Sequence, residues 1–268
     1  MELKFIINDY ILIWTLLFQP TNNQTLNKLK QKLWKDYKED YNDAYKDKLL
    51  IFRDYKNFIP TNDNIYNIIL EQRYYELLKN NTDKYRKELL KVWDMYKRKI
   101  NDCLKKTLRT NILPYDIFIV NKDLNIIDST IPNNKTRGNI LIGRNDKNNL
   151  NLLLNIILFI LRKEIPISSA DDNITKAVVE LLVLNEIPTK LTHKSTYISG
   201  NPNLADLKRE IYPYWLMYLG KKEEDLNKYM NRDKIYFDLS KYKYNKRLSR
   251  MNIFEFIKYL KDKDIDEI

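Results

Sequence analysis

With 268 residues, of which 44% are hydrophobic, the chain is long enough to bury one large core or two small ones. Its formal net charge of +11 favours anionic partners such as nucleic acid, although abundant Lys, Asn, Ile and Tyr are also typical of an AT-rich genome. The single cysteine, Cys103, excludes an internal disulfide, and the single histidine, His193, excludes a His-based metal site.

The N-terminal stretch contains an apolar run over residues 11–18. This run is too short to cross a bilayer, and no small-residue cleavage site follows it. The polar residues Glu2, Asn8 and Asp9 also interrupt the stretch. We therefore expect a buried element here, no membrane span and a cytoplasmic location.

Helical periodicity dominates the first part of the chain. Apolar residues recur every three or four positions through residues 25–55, which predicts one long helix with a single apolar stripe. The stripe comprises Leu26, Leu29, Leu33, Tyr37, Tyr41, Tyr45, Leu49 and Phe52. Two further helices are predicted over residues 64–79 and 83–108, with a break and a helix cap at residues 80–82. Residues 1–112 are therefore predicted to form a helical segment.

The pattern changes at Pro114, after which short strands are expected. Residues 115–120 are rich in aromatic and β-branched side chains, as strands are. Residues 124–128 and 139–143 are the other two strand candidates. Because the candidates are few and short, the predicted sheet is small.

Two apolar helices are predicted to follow, over residues 150–162 and 173–187. The first is apolar all round, which is typical of a helix buried on every side, and Pro188 is expected to stop the second. Three more helices are predicted, over residues 204–219, 223–230 and 252–261. The predicted fold class is α+β, mostly α: the N-terminal helical segment packs on a core, residues 113–268, with a short sheet and two central buried helices.

The order of elements after Pro114 resembles the core of the zincin metallopeptidases, of the gluzincin type. In that family an edge strand lies along the substrate, and the first helix carries His-Glu-x-x-His, whose histidines bind zinc while the Glu activates water. A second helix supplies the third ligand. Here residues 139–143 resemble the edge strand, and the segments LLLNIILFI at 152–160 and ITKAVVELL at 174–182 resemble the two helices.

The zinc-binding positions of that family are altered in this sequence. Asn155 and Phe159 stand where the two histidines would be, and Ile156 replaces the Glu between them. Lys176 replaces the third ligand, while Glu180 agrees with the family pattern. The resemblance therefore implies a zincin-like core with no catalytic residues, no metal site and no cofactor.

Four of these residues define a predicted remnant groove: Asn155, Phe159, Lys176 and Glu180. Asn155 fits either a structural hydrogen bond or a polar floor of the groove. Lys176 and Glu180, four residues apart, fit either an ion pair at the rim of the core or a charged lining. A protein or peptide partner is expected along the 139–143 edge strand.

Three functions stay open at this point. The first is a non-catalytic binding or scaffold protein. The second is a basic helical protein that binds nucleic acid. Two features suggest it: the net charge of +11 on the whole chain, and the interleaving of Tyr and Lys over residues 26–55. The third is an enzyme of an unrecognised class, although the sequence has no Gly-x-Ser-x-Gly motif, and its 4 glycines argue against a Gly-rich phosphate loop.

Overall fold

A computed structural model describes residues 1–128, 137–144, 146, 148–165, 172–193, 199–233, 235 and 242–263. The protein is mostly helical with a small four-stranded sheet, which confirms the predicted α+β class. The chain forms two compact units. The N-terminal unit comprises Met1–Trp93 and Leu113–Leu152, and the C-terminal unit comprises Asp94–Ile112 and Leu153–Ile268.

The sheet of the N-terminal unit has the strand order β1-β2-β4-β3. Its strands are β1 (Leu3–Ile6), β2 (Tyr115–Ile119), β3 (Ile126–Asp128) and β4 (Gly138–Gly143). Strands β1, β2 and β4 are parallel, and β3 pairs antiparallel with β4. Every residue of β2 and β4 is buried, as in the parallel sheets that are covered on both faces.

The N-terminal unit contains residues from both sides of the expected boundary after residue 112. Strand β1, predicted only as part of a buried element, accounts for this. Phe5 in β1 lies opposite Ile117 in β2, and Ile117 lies opposite Ile140 in β4. This register joins the start of the chain to the strands that follow Pro114.

Six helices lie between β1 and β2. They are α1 (Asp9–Phe18), α2 (Gln24–Asp36), α3 (Lys38–Lys46), α4 (Lys48–Arg53), α5 (Asn64–Leu70) and α6 (Arg73–Leu108). Helix α1 is the buried element expected at the N-terminus, and it packs with Phe52, Tyr66 and Phe118 in one apolar core. Among the described residues, no helix is long and apolar enough to cross a membrane.

The predicted long helix over residues 25–55 is wrong, because the chain breaks near Tyr37 and Asp47. Tyr37 has φ −137° and ψ 50°, outside the helical region. Asp47 is fully buried, and its carboxylate accepts hydrogen bonds from Thr61 N (3.2 Å) and Tyr66 Oη (3.2 Å). These breaks rotate the apolar stripe, so that Tyr45 is 63% exposed.

The break predicted at residues 80–82 is also absent, since α6 continues through it. Thr82 does not cap a helix; its hydroxyl donates to the carbonyl of Leu78 (2.8 Å) within α6. The interruption falls earlier, between Leu70 and Arg73.

The C-terminal unit contains most of the remaining helices. They are α7 (Asn149–Glu164), which begins in the N-terminal unit, α8 (Asn173–Glu180), α9 (Ile187–Thr192), α10 (Ala205–Tyr218), α11 (Glu223–Arg232) and α12 (Ile253–Lys261). The rings of Trp215 and Tyr218 stack at 5.4 Å, and Phe256 stacks on Tyr218 at 4.4 Å. Helix α8 packs against α10 and α12, which places this aromatic stack in the core.

Pro188 does not end the second apolar helix. A π-helical segment, Leu181–Glu186, joins α8 to α9, and Pro188 lies in the first turn of α9. The N–H of Ile187 donates to Leu182 O, five residues back, so the chain turns more widely just before the proline. Proline is tolerated in a first helical turn because its missing N–H needs no partner there.

Helix α7 is not buried on every side, which corrects the prediction made from its apolar sequence. Asn151 is exposed, and Asn155, Phe159 and Arg162 are half-buried. These residues are three or four apart and therefore share one face of the helix. Apart from Leu150, which is half-buried, the remaining apolar residues of α7 pack into the core.

Candidate functional site

A polar cavity of about 340 Å³ lies in the N-terminal unit where β2 and β4 end. The chain leaves β2 through Asn121, Lys122 and Asp123, and it leaves β4 towards Asp146 and Asn149. Helix α6 supplies the other side of the cavity, with Asn81, Thr82, Lys84, Tyr85 and Glu88. We call this cavity the polar cleft.

The position of the polar cleft follows from the sheet topology. Strands β2 and β4 are parallel neighbours, so their carboxyl ends meet at one edge and bring two polar loops together. Ligands of open sheets with parallel strands bind in the crevice beyond those carboxyl ends. The cleft is also within the usual size range of small-molecule sites.

Two close contacts hold the walls of the cleft. At Gly143 a Cβ atom would lie 2.5 Å from Asn121 O, so only glycine lets β4 pass this close to the turn after β2. The hydroxyl of Tyr85 donates to Arg144 O (2.7 Å), which joins α6 to the loop after β4. Burial raises the pKa of Tyr85 above its usual value, so the hydroxyl stays protonated and keeps donating.

The cleft carries charges of both signs. Glu88, Asp123 and Asp146 contribute carboxylates, and Lys84 and Lys122 contribute amines. Asn149 Nδ2 lies 3.5 Å from Glu88 Oε2, and Arg144 Nε lies 3.4 Å from Asp146 Oδ2. Among the described residues, no group of three or more His, Cys, Asp or Glu side chains is arranged to hold a metal ion. The chemistry on offer is hydrogen bonding and ion pairing with a small polar molecule.

Of the four residues predicted to line a remnant groove, Glu180 has the most distinctive surroundings. It lies in the C-terminal unit, only 2% exposed, at the end of α8. Its Oε2 is 2.6 Å from Lys208 Nζ, and its Oε1 is 2.8 Å from the Arg162 guanidinium. Asn201 N also donates to Oε2 (3.0 Å). We call Glu180, Lys208 and Arg162 the buried ion network.

The loop beside the buried ion network is tied to it through its backbone. Lys208 Nζ donates to Ser199 O (2.5 Å), and Ser199 N donates to Asn185 Oδ1 (3.0 Å). Asn185 projects from the π-helical segment, a conformation that is frequent at functional sites. At Gly200, φ is +110° and an added Cβ would collide with Glu180 Oε2. The buried ion network and the loop that contains Ser199 and Gly200 therefore hold each other in place.

The other three predicted residues are less deeply buried than Glu180. Asn155 and Phe159 are half-buried on the outer face of α7, and Lys176 is half-buried on α8. Glu180 forms ion pairs in the core with Arg162 and Lys208.

The predicted edge strand over residues 139–143 is wrong. This segment is β4, which pairs with β2 on one side and with β3 on the other. Strand β3 covers Leu141, Ile142 and Gly143 of β4, so a partner strand cannot pair with β4 at those three residues.

The polar cleft was not predicted from the sequence, although the sequence carries a signal for it. Asn121 and Asp123 follow one apolar strand, and Asp146 and Asn149 follow the next strand of the parallel pair. Their convergence could be inferred only from the parallel pairing of β2 with β4. Comparisons with protein-family models, with curated proteins and with solved structures give no match.

The thiol of Cys103 is expected to be unreactive in the folded protein. It lies in the C-terminal unit at 2% exposure, and burial raises the pKa of its thiol to about 11. Ellman's reagent at pH 8 should therefore modify it only after unfolding. Since an unfolded thiol has a pKa of about 8.5, this group favours folding below that pH, and its contribution falls as the pH rises towards 11. Rapid modification without denaturant would contradict this expectation.

Proposed function

We propose that this protein is a non-catalytic binding protein whose polar cleft receives a small polar ligand. The observation that carries the proposal is the cavity of about 340 Å³ at the carboxyl ends of two parallel strands. The altered zinc-binding positions of the zincin-like pattern support a role without metal chemistry.

The lining of the cleft favours a ligand with both charged and hydrogen-bonding groups. Carboxylates of Glu88 and Asp123 suit an ammonium or hydroxyl group, whereas Lys84 and Lys122 suit a carboxylate or phosphate. The amides of Asn81, Asn121 and Asn149 both donate and accept. A zwitterion of amino-acid size satisfies both signs at once, and we propose free amino acids as the ligand class.

Binding is testable with free amino acids by thermal shift and calorimetry. Glu88→Gln and Lys122→Gln each remove one exposed charge of the cleft, so both should weaken binding about tenfold while leaving stability within about 0.5 kcal/mol. Lys222→Gln, a side chain 76% exposed in the other unit, is the matched control and should bind normally.

Two outcomes would contradict the proposed function. The first is that no free amino acid binds the protein at millimolar concentration. The second is stoichiometric, tightly held zinc in metal-replete protein, because zinc would indicate a metal site that the proposal denies.

A further inference from the structure

We infer that helix α2 binds single-stranded nucleic acid, independently of the polar cleft. The first observation is a run of the sequence without any acidic residue, which extends from Tyr10 to Lys35. Within it, Lys28, Lys32 and Lys35 are all exposed on α2. Their spacing of four and three residues places the amines on one helix face, over about 10 Å of its length.

An exposed aromatic ring lies directly before Lys35 in the sequence, about a third of a turn around α2 from the centre of this lysine face. Trp34 is 49% exposed near the end of α2, and Lys38 Nζ lies 5.4 Å from the centroid of its ring. Gln31, one helical turn before Trp34, is exposed too. A basic strip with a neighbouring aromatic face is how proteins bind single strands: lysines pair with phosphates, and bases stack on the ring.

The burial of α2 distinguishes this partner from an anionic membrane. Leu26 and Leu33, on the apolar face of the helix, are at most 6% exposed because they pack in the core of the N-terminal unit. A helix that lies in a membrane interface needs that face free to enter the acyl chains. The outer face of α2 offers amines, amides and one indole, which match phosphates and bases, and it carries one exposed carboxylate, Asp36, at its end.

The test measures anisotropy of a labelled thymidine oligonucleotide of about 20 nucleotides against salt concentration. Trp34→Ala should weaken binding about 5-fold to 150-fold, and Trp34→Tyr should restore most of it because tyrosine also stacks. The triple variant Lys28→Ala, Lys32→Ala, Lys35→Ala should lower the salt slope by about 2.

The matched control is Lys91→Ala, Lys99→Ala, Lys105→Ala, which removes the same charge from exposed positions of α6. It should leave the Trp34-dependent binding unchanged. Intrinsic fluorescence gives a second readout, since Trp14, Trp93 and Trp215 are all at most 5% exposed and only Trp34 is open to stacking.

Three results would overturn the inference. One is no binding of the oligonucleotide at low salt. Another is an equal loss of binding in both lysine triples, which would trace the effect to the overall charge of +11. The third is binding to anionic phospholipid vesicles without binding to the oligonucleotide.

Discussion

Glu180→Gln should destabilise the protein by about 3–5 kcal/mol, because it removes the negative charge from a buried ion pair. The side chain of Lys208 is fully buried and has Glu180 Oε2 at 2.6 Å, so the variant leaves an uncompensated ammonium in the core. Arg162 is 37% exposed and regains water, so its loss of a partner costs less. Urea unfolding at neutral pH, followed by circular dichroism, measures the change.

The double variant Glu180→Gln, Lys208→Met separates the lost charge from a general packing defect. Because it removes the stranded ammonium, it should recover most of the lost stability. Glu224→Gln is the matched control: this carboxylate is 74% exposed, pairs with Lys222 at 3.3 Å, and should change stability by less than about 0.5 kcal/mol. A single variant as stable as the parent, or a double variant no better than the single, would contradict the expected role of the buried ion network.

Gly143→Ala should cost about 2–3 kcal/mol and open the turn that forms one wall of the polar cleft. The added Cβ would lie 2.5 Å from Asn121 O and 2.7 Å from Val120 Cγ2. Neither atom can retreat freely, since Val120 N donates to Ile142 O at 2.8 Å and holds the two strands together. Hydrogen exchange of the peptide that covers residues 115–124 should therefore increase.

Gly220→Ala is the matched control for this second prediction. Gly220 has φ +78°, but the nearest atom to an added Cβ is Ser249 Cβ at 3.9 Å, so the substitution introduces backbone strain without a collision. It should cost about 1 kcal/mol and leave exchange in residues 115–124 unchanged. If Gly143→Ala behaved like Gly220→Ala, the close approach of β4 to the turn after β2 would be refuted.

The sequence predicted helices and strands best where the residues at their ends favour starting or stopping that element. The second apolar helix was predicted to begin at residue 173, and it does so: the carboxylate of Asp172 caps it by accepting a hydrogen bond from Thr175 N (3.1 Å). Strand β2 was predicted from a run of β-branched and aromatic residues that ends before Asn121, and β4 was predicted over residues 139–143. Capping and strand preference act over a few residues, so a single sequence contains the information.

Predictions failed where a distant partner decided the local conformation. Asp47 interrupts the regular periodicity of residues 25–55 because its carboxylate binds Thr61 and Tyr66, 14 and 19 residues further on. For Glu180, the sequence suggested either an ion pair with Lys176 or a groove lining, and it did not reveal the ion pairs that Glu180 forms with Lys208 and Arg162. Spacing along one helix cannot reveal a partner on another.

The sequence by itself determined the mostly helical α+β class and the positions of β2 and β4, because periodicity and strand preference are properties of neighbouring residues. Tertiary structure alone decided that β1 joins the sheet, that β4 lies inside it, and that the loops after β2 and β4 enclose a polar cleft. Each of these depends on hydrogen bonds between strands far apart in the chain, whose pairing no local pattern specifies.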